Sequence, residues 1–143
     1  MNDLRTNLGQ LCRQFGVTSL YVFGSRAREV AGLISGLVPV PGPHASDIDI
    51  AVQPGKGALE AATARVRLIQ GLEELLGARR VDLVILTEAS AFLAADAVRG
   101  ELLYCDDEDR QAREELYYLG RAADLAPYQK QRLEGILRGE LRR

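Results

Sequence analysis

Asp47 and Asp49 stand one residue apart in "SDIDIAV", and a third acid, Asp82, sits in "RRVDLVIL". A glycine–serine pair, Gly24 and Ser25, closes "SLYVFGS". Side chains alternate along a strand, so Asp47 and Asp49 share one face, with Cα atoms about 6.5–7 Å apart. Ile48 and Ile50 take the other face, which can pack on helices. Three carboxylates brought together repel one another, and a divalent cation removes that conflict. Few hard oxygen ligands, completed by water and substrate phosphates, are what Mg²⁺ prefers. Two such ions about 3.5–4 Å apart stabilise both the attacking and the leaving oxygen of a phosphoryl transfer. The glycine–serine turn suits the phosphates. Gly24 has no Cβ to keep the backbone away, and Ser25 offers a hydroxyl and an N–H at the start of a short helix.

These residues form one site only if the elements carrying them meet. "SLYVFG" reads as a strand ending at Gly24, "SDIDIAV" as a strand closed by "QPGKG", and "RRVDLVILT" as a third. A crossover helix of about twenty residues joins the second strand to the third, which predicts a parallel pair with all three aspartates at one edge. Gly24 and Ser25 lie at the end of their strand. They reach that edge only if the first strand runs antiparallel to the other two, so a single site requires a mixed sheet.

The remaining elements follow from hydrophobic period. Leu4, Leu8, Leu11 and Phe15 lie on one helical face, with Gly16 as its stop. Leu59, Ala62, Val66, Ile69, Leu72 and Leu76 mark the crossover helix, which ends at Gly77. Thr87 is expected to cap "EASAFLAADAVRG", and "ELLYC" reads as a short last strand. A helix opening on the acids of "DDEDRQ" is expected to stop before Pro127, and a final helix then places Leu133, Ile136, Leu137 and Leu141 on one stripe. The Gly- and Pro-rich segment at about 29–45 reads as an inserted loop.

Composition sets the outer limits. The chain has 143 residues, enough for one domain with a core, and a net charge of −2, which argues against direct nucleic-acid binding. No apolar run approaches the roughly 20 residues of a membrane helix, and no signal-peptide pattern is present. Cys12 and Cys105 are far apart without a CxxC motif and read as free thiols, so a cytoplasmic location is expected.

In this order, "GSRAR", "SDIDIAV" and "RRVDLVIL" resemble the minimal nucleotidyltransferases of the DNA polymerase β-like superfamily, over roughly residues 18–105. The resemblance implies an α/β (α+β) nucleotidyltransferase fold: a small mixed sheet flanked by helices, with two C-terminal helices. It implies a core over 1–105 and a helical extension over 106–143 packed on the core or on a partner. Carried across by position, Gly24 and Ser25 would grip the triphosphate, with Arg26 touching phosphate. Asp47, Asp49 and Asp82 would bind one or two Mg²⁺, and Asp82 would help deprotonate the acceptor. The tail "DRQAREELYYLGRAADLAPYQKQRLEGIL" looks like that of antitoxins paired with HEPN-type RNase toxins. Such antitoxins silence their partner by moving AMP from ATP to one of its tyrosines. One departure stands out. Typical members have about ten residues between the serine and the first aspartate, and here residues 26–46, twenty-one in all, intervene. Closing a loop of twice the length adds only about 0.6 kcal/mol, so the insertion is compatible with an intact site.

Other residues have plainer readings. His44, the only histidine, reads as a solvated loop residue ahead of a base. Arg79 and Arg80 read as helix-end or surface charges ahead of contacts to triphosphate or partner, and Arg65 and Arg67 as solvent-facing. Tyr104 reads as strand core, and Tyr117 and Tyr118 as core or interface. Two further functions share these features: a partner-binding module with a vestigial site, and an enzyme modifying a small molecule such as an aminoglycoside.

Overall fold

The structure is a computed structural model that describes residues 3–36 and 47–137. Its centre is a four-stranded sheet in the order β3-β2-β1-β4. β1 (Val17–Phe23) pairs antiparallel with β2 (Ile48–Pro54) and with β4 (Glu101–Cys105), while β2 pairs parallel with β3 (Val81–Ile85). This is the mixed sheet that a single site requires. The central strand β1 is buried along almost its whole length, because both faces of the sheet are covered.

One face packs under α1 (Leu4–Phe15), α2 (Ala27–Ile34) and α3 (Ala62–Leu76). Its core joins Leu8, Leu20, Val22, Ile48, Ile50, Val52, Leu68 and Leu72. The other face packs under α4 (Ala91–Val98) and α5 (Glu108–Leu137), around Tyr21, Phe23, Ala51, Leu86, Ala94 and Tyr118. Alternation along β2 thus sends Ile48 and Ile50 to the first face and Asp49 to the second. No helix among the described residues is long and apolar enough to cross a membrane.

Several local expectations are corrected. The two C-terminal helices are one continuous helix, α5, with Pro127 inside it. Proline removes the bond to the carbonyl four residues back, on Ala123. Ala123 and Pro127 are both exposed, so that carbonyl is open to water and the helix continues. The inserted segment begins as helix, because α2 runs to Ile34 with Val30, Leu33 and Ile34 buried. The rest of the insertion from 37 on, His44, Leu141 and the side chains of Ile136 and Leu137 lie outside the described residues. The crossover helix starts at Ala62 and buries Leu68, Leu72 and Leu76, leaving Val66 51% exposed. Leu59 precedes the helix, at φ +60, and is buried. Packing on the sheet selects the stripe of Leu68, Leu72 and Leu76 and leaves Val66 on the outer side among Thr63, Arg67 and Gln70. Ser90, not Thr87, caps α4, since its Oγ accepts the Leu93 N–H at 3.2 Å. Thr87 lies in the 3₁₀ turn Leu86–Glu88.

Polar anchors hold α5 to the sheet. Gln111 Nε2 donates to the Tyr21 hydroxyl at 2.7 Å, and the Tyr118 hydroxyl donates to Gln53 Oε1 at 2.5 Å. Burial pushes the Tyr118 hydroxyl up to about 12, so this side chain is neutral and structural. Beyond Ala122 the described side chains of α5 lose the core, and Leu125, Tyr128 and Leu133 are exposed. At the other end, Asp107 Oδ1 accepts the Arg110 N–H at 3.0 Å, and this bond holds the Asp107 carboxyl below its usual range. A native carboxyl depressed in this way adds stability above the unfolded value, and that contribution is lost as pH falls through the native value. Asp107→Asn keeps a capping oxygen without the charge. The gap in melting temperature between wild type and this variant is therefore expected to narrow as pH drops below about 4, which thermal melts across the acid range would read.

Candidate active site

The strand register brings the predicted residues together. Phe23, the last residue of β1, is paired with Asp49, and Asp49 is paired with Asp82 across the parallel pair. Neighbouring strands lie about 4.8 Å apart, so Asp49 and Asp82 are adjacent on one face, at one edge. Asp47, exposed, comes just before β2 and shares that side by alternation. Gly24 and Ser25 follow Phe23 directly and are exposed.

Gly24 lies against Asp49. Its φ is +81, and a Cβ built there would meet Asp49 Oδ2 at 2.7 Å. Only a residue without a side chain lets the chain turn here while the carboxylate keeps its place. The turn is closed by the Ala27 N–H donating to the Gly24 carbonyl at 3.2 Å, and it leads into α2. Gly24→Ala is expected to displace Asp49 as well as to add the left-handed backbone cost of about 1–2 kcal/mol. Gly57, at φ +76 with nothing within 4 Å of its built Cβ, supplies the control. Both alanine variants should melt lower than wild type, and only Gly24→Ala should also weaken binding in a nucleotide titration.

The electrostatics are those of crowded acids. Burial, then Asp82, then Asp47 push the Asp49 carboxyl above the usual carboxylate range. This donor set fits a divalent cation, which would relieve that repulsion. As placed, no three His, Cys, Asp or Glu side chains among the described residues form a ready metal cage. One of the three acids is engaged elsewhere: Asp82 Oδ1 lies 3.0 Å from Arg80 Nε. Arg26 is held in turn by Glu29, with its Nε and Nη2 donating at 2.7 and 2.8 Å.

Both pairings were missed by the sequence reading, although signals existed. Glu29 follows Arg26 by three residues, a helix-neighbour spacing. Arg80 precedes Asp82 by two, a same-face spacing on a strand. A further anchor, Glu73 Oε2 accepting the Val81 N–H at 3.0 Å, had no local signal. Arg65, expected to face solvent, donates from Nε to the Leu59 carbonyl at 2.6 Å and grips Glu88 with both Nη atoms. Tyr104 is partly buried against the main core, and Tyr117 is 60% exposed with Arg121 over its ring. Arg79 and Arg67 are exposed. The Cys12 thiol is buried and pushed up to about 12 by desolvation, which makes it unreactive. Cys105 is likewise free.

A family model described as polymerase beta, nucleotidyltransferase, matches residues 7–109, a span that includes all three aspartates and the glycine–serine turn. No curated protein matches the chain. Among solved structures the chain is similar to an MntA-HepT toxin–antitoxin, at 21% identity over 94% of this chain and 97% of that one, with a TM-score of 0.65. It is also similar to a toxin–antitoxin with AMP-PNP, at 21% identity over 93% and 98%, with a TM-score of 0.66. A third is a tri-AMPylated Shewanella oneidensis HEPN toxin in complex with MNT antitoxin, at 21% identity over 94% and 96%, with a TM-score of 0.65. At this identity the likeness is one of fold.

Proposed function

Because the chain belongs to the polymerase beta nucleotidyltransferase family, we propose that it is a Mg²⁺-dependent adenylyltransferase antitoxin that moves AMP from ATP to a tyrosine hydroxyl of a cognate HEPN-type RNase toxin. One observation carries this reading: the register Phe23–Asp49–Asp82 sets the glycine–serine turn against the acids at one edge. The fold shared with a tri-AMPylated toxin–antitoxin complex supports the choice of partner. So does the exposed apolar surface of α5, with Leu125, Tyr128 and Leu133 available to another protein.

In this reading the backbone of Gly24 and the N–H and hydroxyl of Ser25 hold the triphosphate, and Arg26 adds charge beside them. Asp47, Asp49 and Asp82 would hold one or two Mg²⁺, which when bound would supply positive charge beside the reacting phosphate. The acceptor tyrosine oxygen forms a bond to the α-phosphorus. The bond from that phosphorus to the oxygen bridging the β-phosphate breaks, and pyrophosphate leaves. Asp82 helps take the tyrosine proton. Catalysis is then mainly positioning and charge stabilisation.

The test is mass spectrometry of a candidate HEPN-type partner after co-expression with this chain. The expected result is a mass gain of whole AMP units on tyrosine, absent when Asp47 and Asp49 are both replaced by alanine. An unmodified partner that binds this chain and is neutralised by it would overturn the enzymatic reading.

A further inference from the structure

Of the chain's five tyrosines, four are held in the fold. The Tyr21 hydroxyl accepts from Gln111 at 2.7 Å, and the Tyr118 hydroxyl donates to Gln53. Burial raises both, so neither gives up its proton readily. Tyr104 packs against the main core, and the Tyr117 ring lies edge-on to Tyr118 at 5.3 Å, with Arg121 5.8 Å from its centre. Tyr128 differs. It is 69% exposed, on the stretch of α5 beyond Ala122 whose described side chains have left the core. Leu125, three residues before it, and Arg132, four after, share its helix face and are also exposed.

We propose that Tyr128 is itself an acceptor, adenylylated in trans by the active site of a second copy of this chain. This rests on the transferase reading above. The route in trans follows from the direction of α5. Gln111 is fixed to Tyr21, which pairs with Ala51, and Tyr118 is fixed to Gln53, two residues further from Asp49 along β2. The helix therefore leads away from the acids. Tyr128 lies ten residues past Tyr118, about 15 Å further along one unbroken helix, so the acids of its own chain are out of reach. In the second copy's site the Tyr128 oxygen forms a bond to the α-phosphorus of ATP. The bond from that phosphorus to the oxygen bridging the β-phosphate breaks, pyrophosphate leaves, and the phenolic proton passes to a carboxylate of that site. Arg132, one turn from Tyr128, brings a planar fork of donors to the phosphate oxygens. Because this part of α5 stands clear of the core, the hydroxyl can enter a site at a sheet edge without unfolding the helix.

Intact-mass and peptide mass spectrometry of the full purified chain, incubated with ATP and Mg²⁺, tests this. One AMP unit is expected on Tyr128, with an initial rate per chain that rises in proportion to protein concentration, as a reaction between two copies requires. Tyr128→Phe should lose the adduct while keeping the wild-type melting temperature. An isotope-labelled chain carrying Asp47→Ala and Asp49→Ala should gain AMP when mixed with wild type, and none when incubated alone. If wild type modifies a HEPN-type partner but never its own chain, or if the adduct maps to another residue, Tyr128 is overturned as an acceptor and the transferase reading stands. If wild type gains AMP while the labelled inactive chain gains none, the transfer runs within one chain and the proposal is overturned as well. Absence of transfer to chain and partner alike removes the transferase reading, and the role of Tyr128 with it.

Discussion

Asp49→Asn is expected to lower AMP transfer to the partner by about a thousandfold, without loss of melting temperature. The rate effect follows from the loss of one charged ligand. Metal charge at a reacting phosphate supplies several kcal/mol, and about 4 kcal/mol corresponds to three orders of magnitude. The fold should not suffer, because asparagine keeps the shape beside Gly24 and removes a half-buried charge crowded by Asp82 and Asp47. The paired readout is single-turnover transfer and a thermal melt. The same variant separates the enzyme from a module that neutralises its partner by binding alone. An enzyme loses neutralisation while still binding, whereas a binding module keeps both. A variant with full transfer activity would remove Asp49 from the site.

Gly100→Ala should be the most damaging of the small substitutions for stability. A Cβ built at Gly100 would lie 2.3 Å from the Val22 carbonyl oxygen, 2.8 Å from Phe23 Cβ and 2.9 Å from Phe23 Cα. Two of these are backbone atoms of the central strand, so no side-chain rotation relieves the overlap. Overpacking of this kind costs about 3 kcal/mol, which for a domain of this size lowers the melting temperature by roughly 10 °C. Phe23 is paired with Asp49 and precedes Gly24, so the displacement reaches the site as well. Gly120→Ala provides the contrast. Nothing stands within 4 Å of a Cβ there, and alanine in a helix interior is favoured by roughly 0.5–1 kcal/mol. Thermal melts that rank Gly100→Ala at or above wild type would contradict the close approach of the α4–β4 turn to β1.

Where sequence and structure agree, the signal was local and periodic. The period of two along "SDIDIAV" sends Ile48 and Ile50 into one core and Asp49 to the opposite face. The requirement that Ser25 and the aspartates meet led to the mixed sheet that the register displays. The disagreements share a cause. From sequence Pro127 reads as a stop, because proline breaks an isolated helix, but an exposed helix tolerates the loss of one bond. Thr87 and Ser90 are both residues that cap helices, and the 3₁₀ turn takes Thr87 out of contention. Val66 and Leu68 both fit an apolar period, and only packing against the sheet selects between them.

By itself the sequence determined the residue types of the site and their order on strand, turn and strand, because side-chain alternation and turn chemistry act over a few residues. The tertiary structure decided what those residues touch. Asp82 turns to Arg80, Arg26 to Glu29, and Asp49 lies in the space a Gly24 side chain would need. It also decided that Gly100 must be glycine, through contact with a strand almost eighty residues earlier in the chain. Distances between side chains on separate elements depend on how those elements pack, and no local pattern records them.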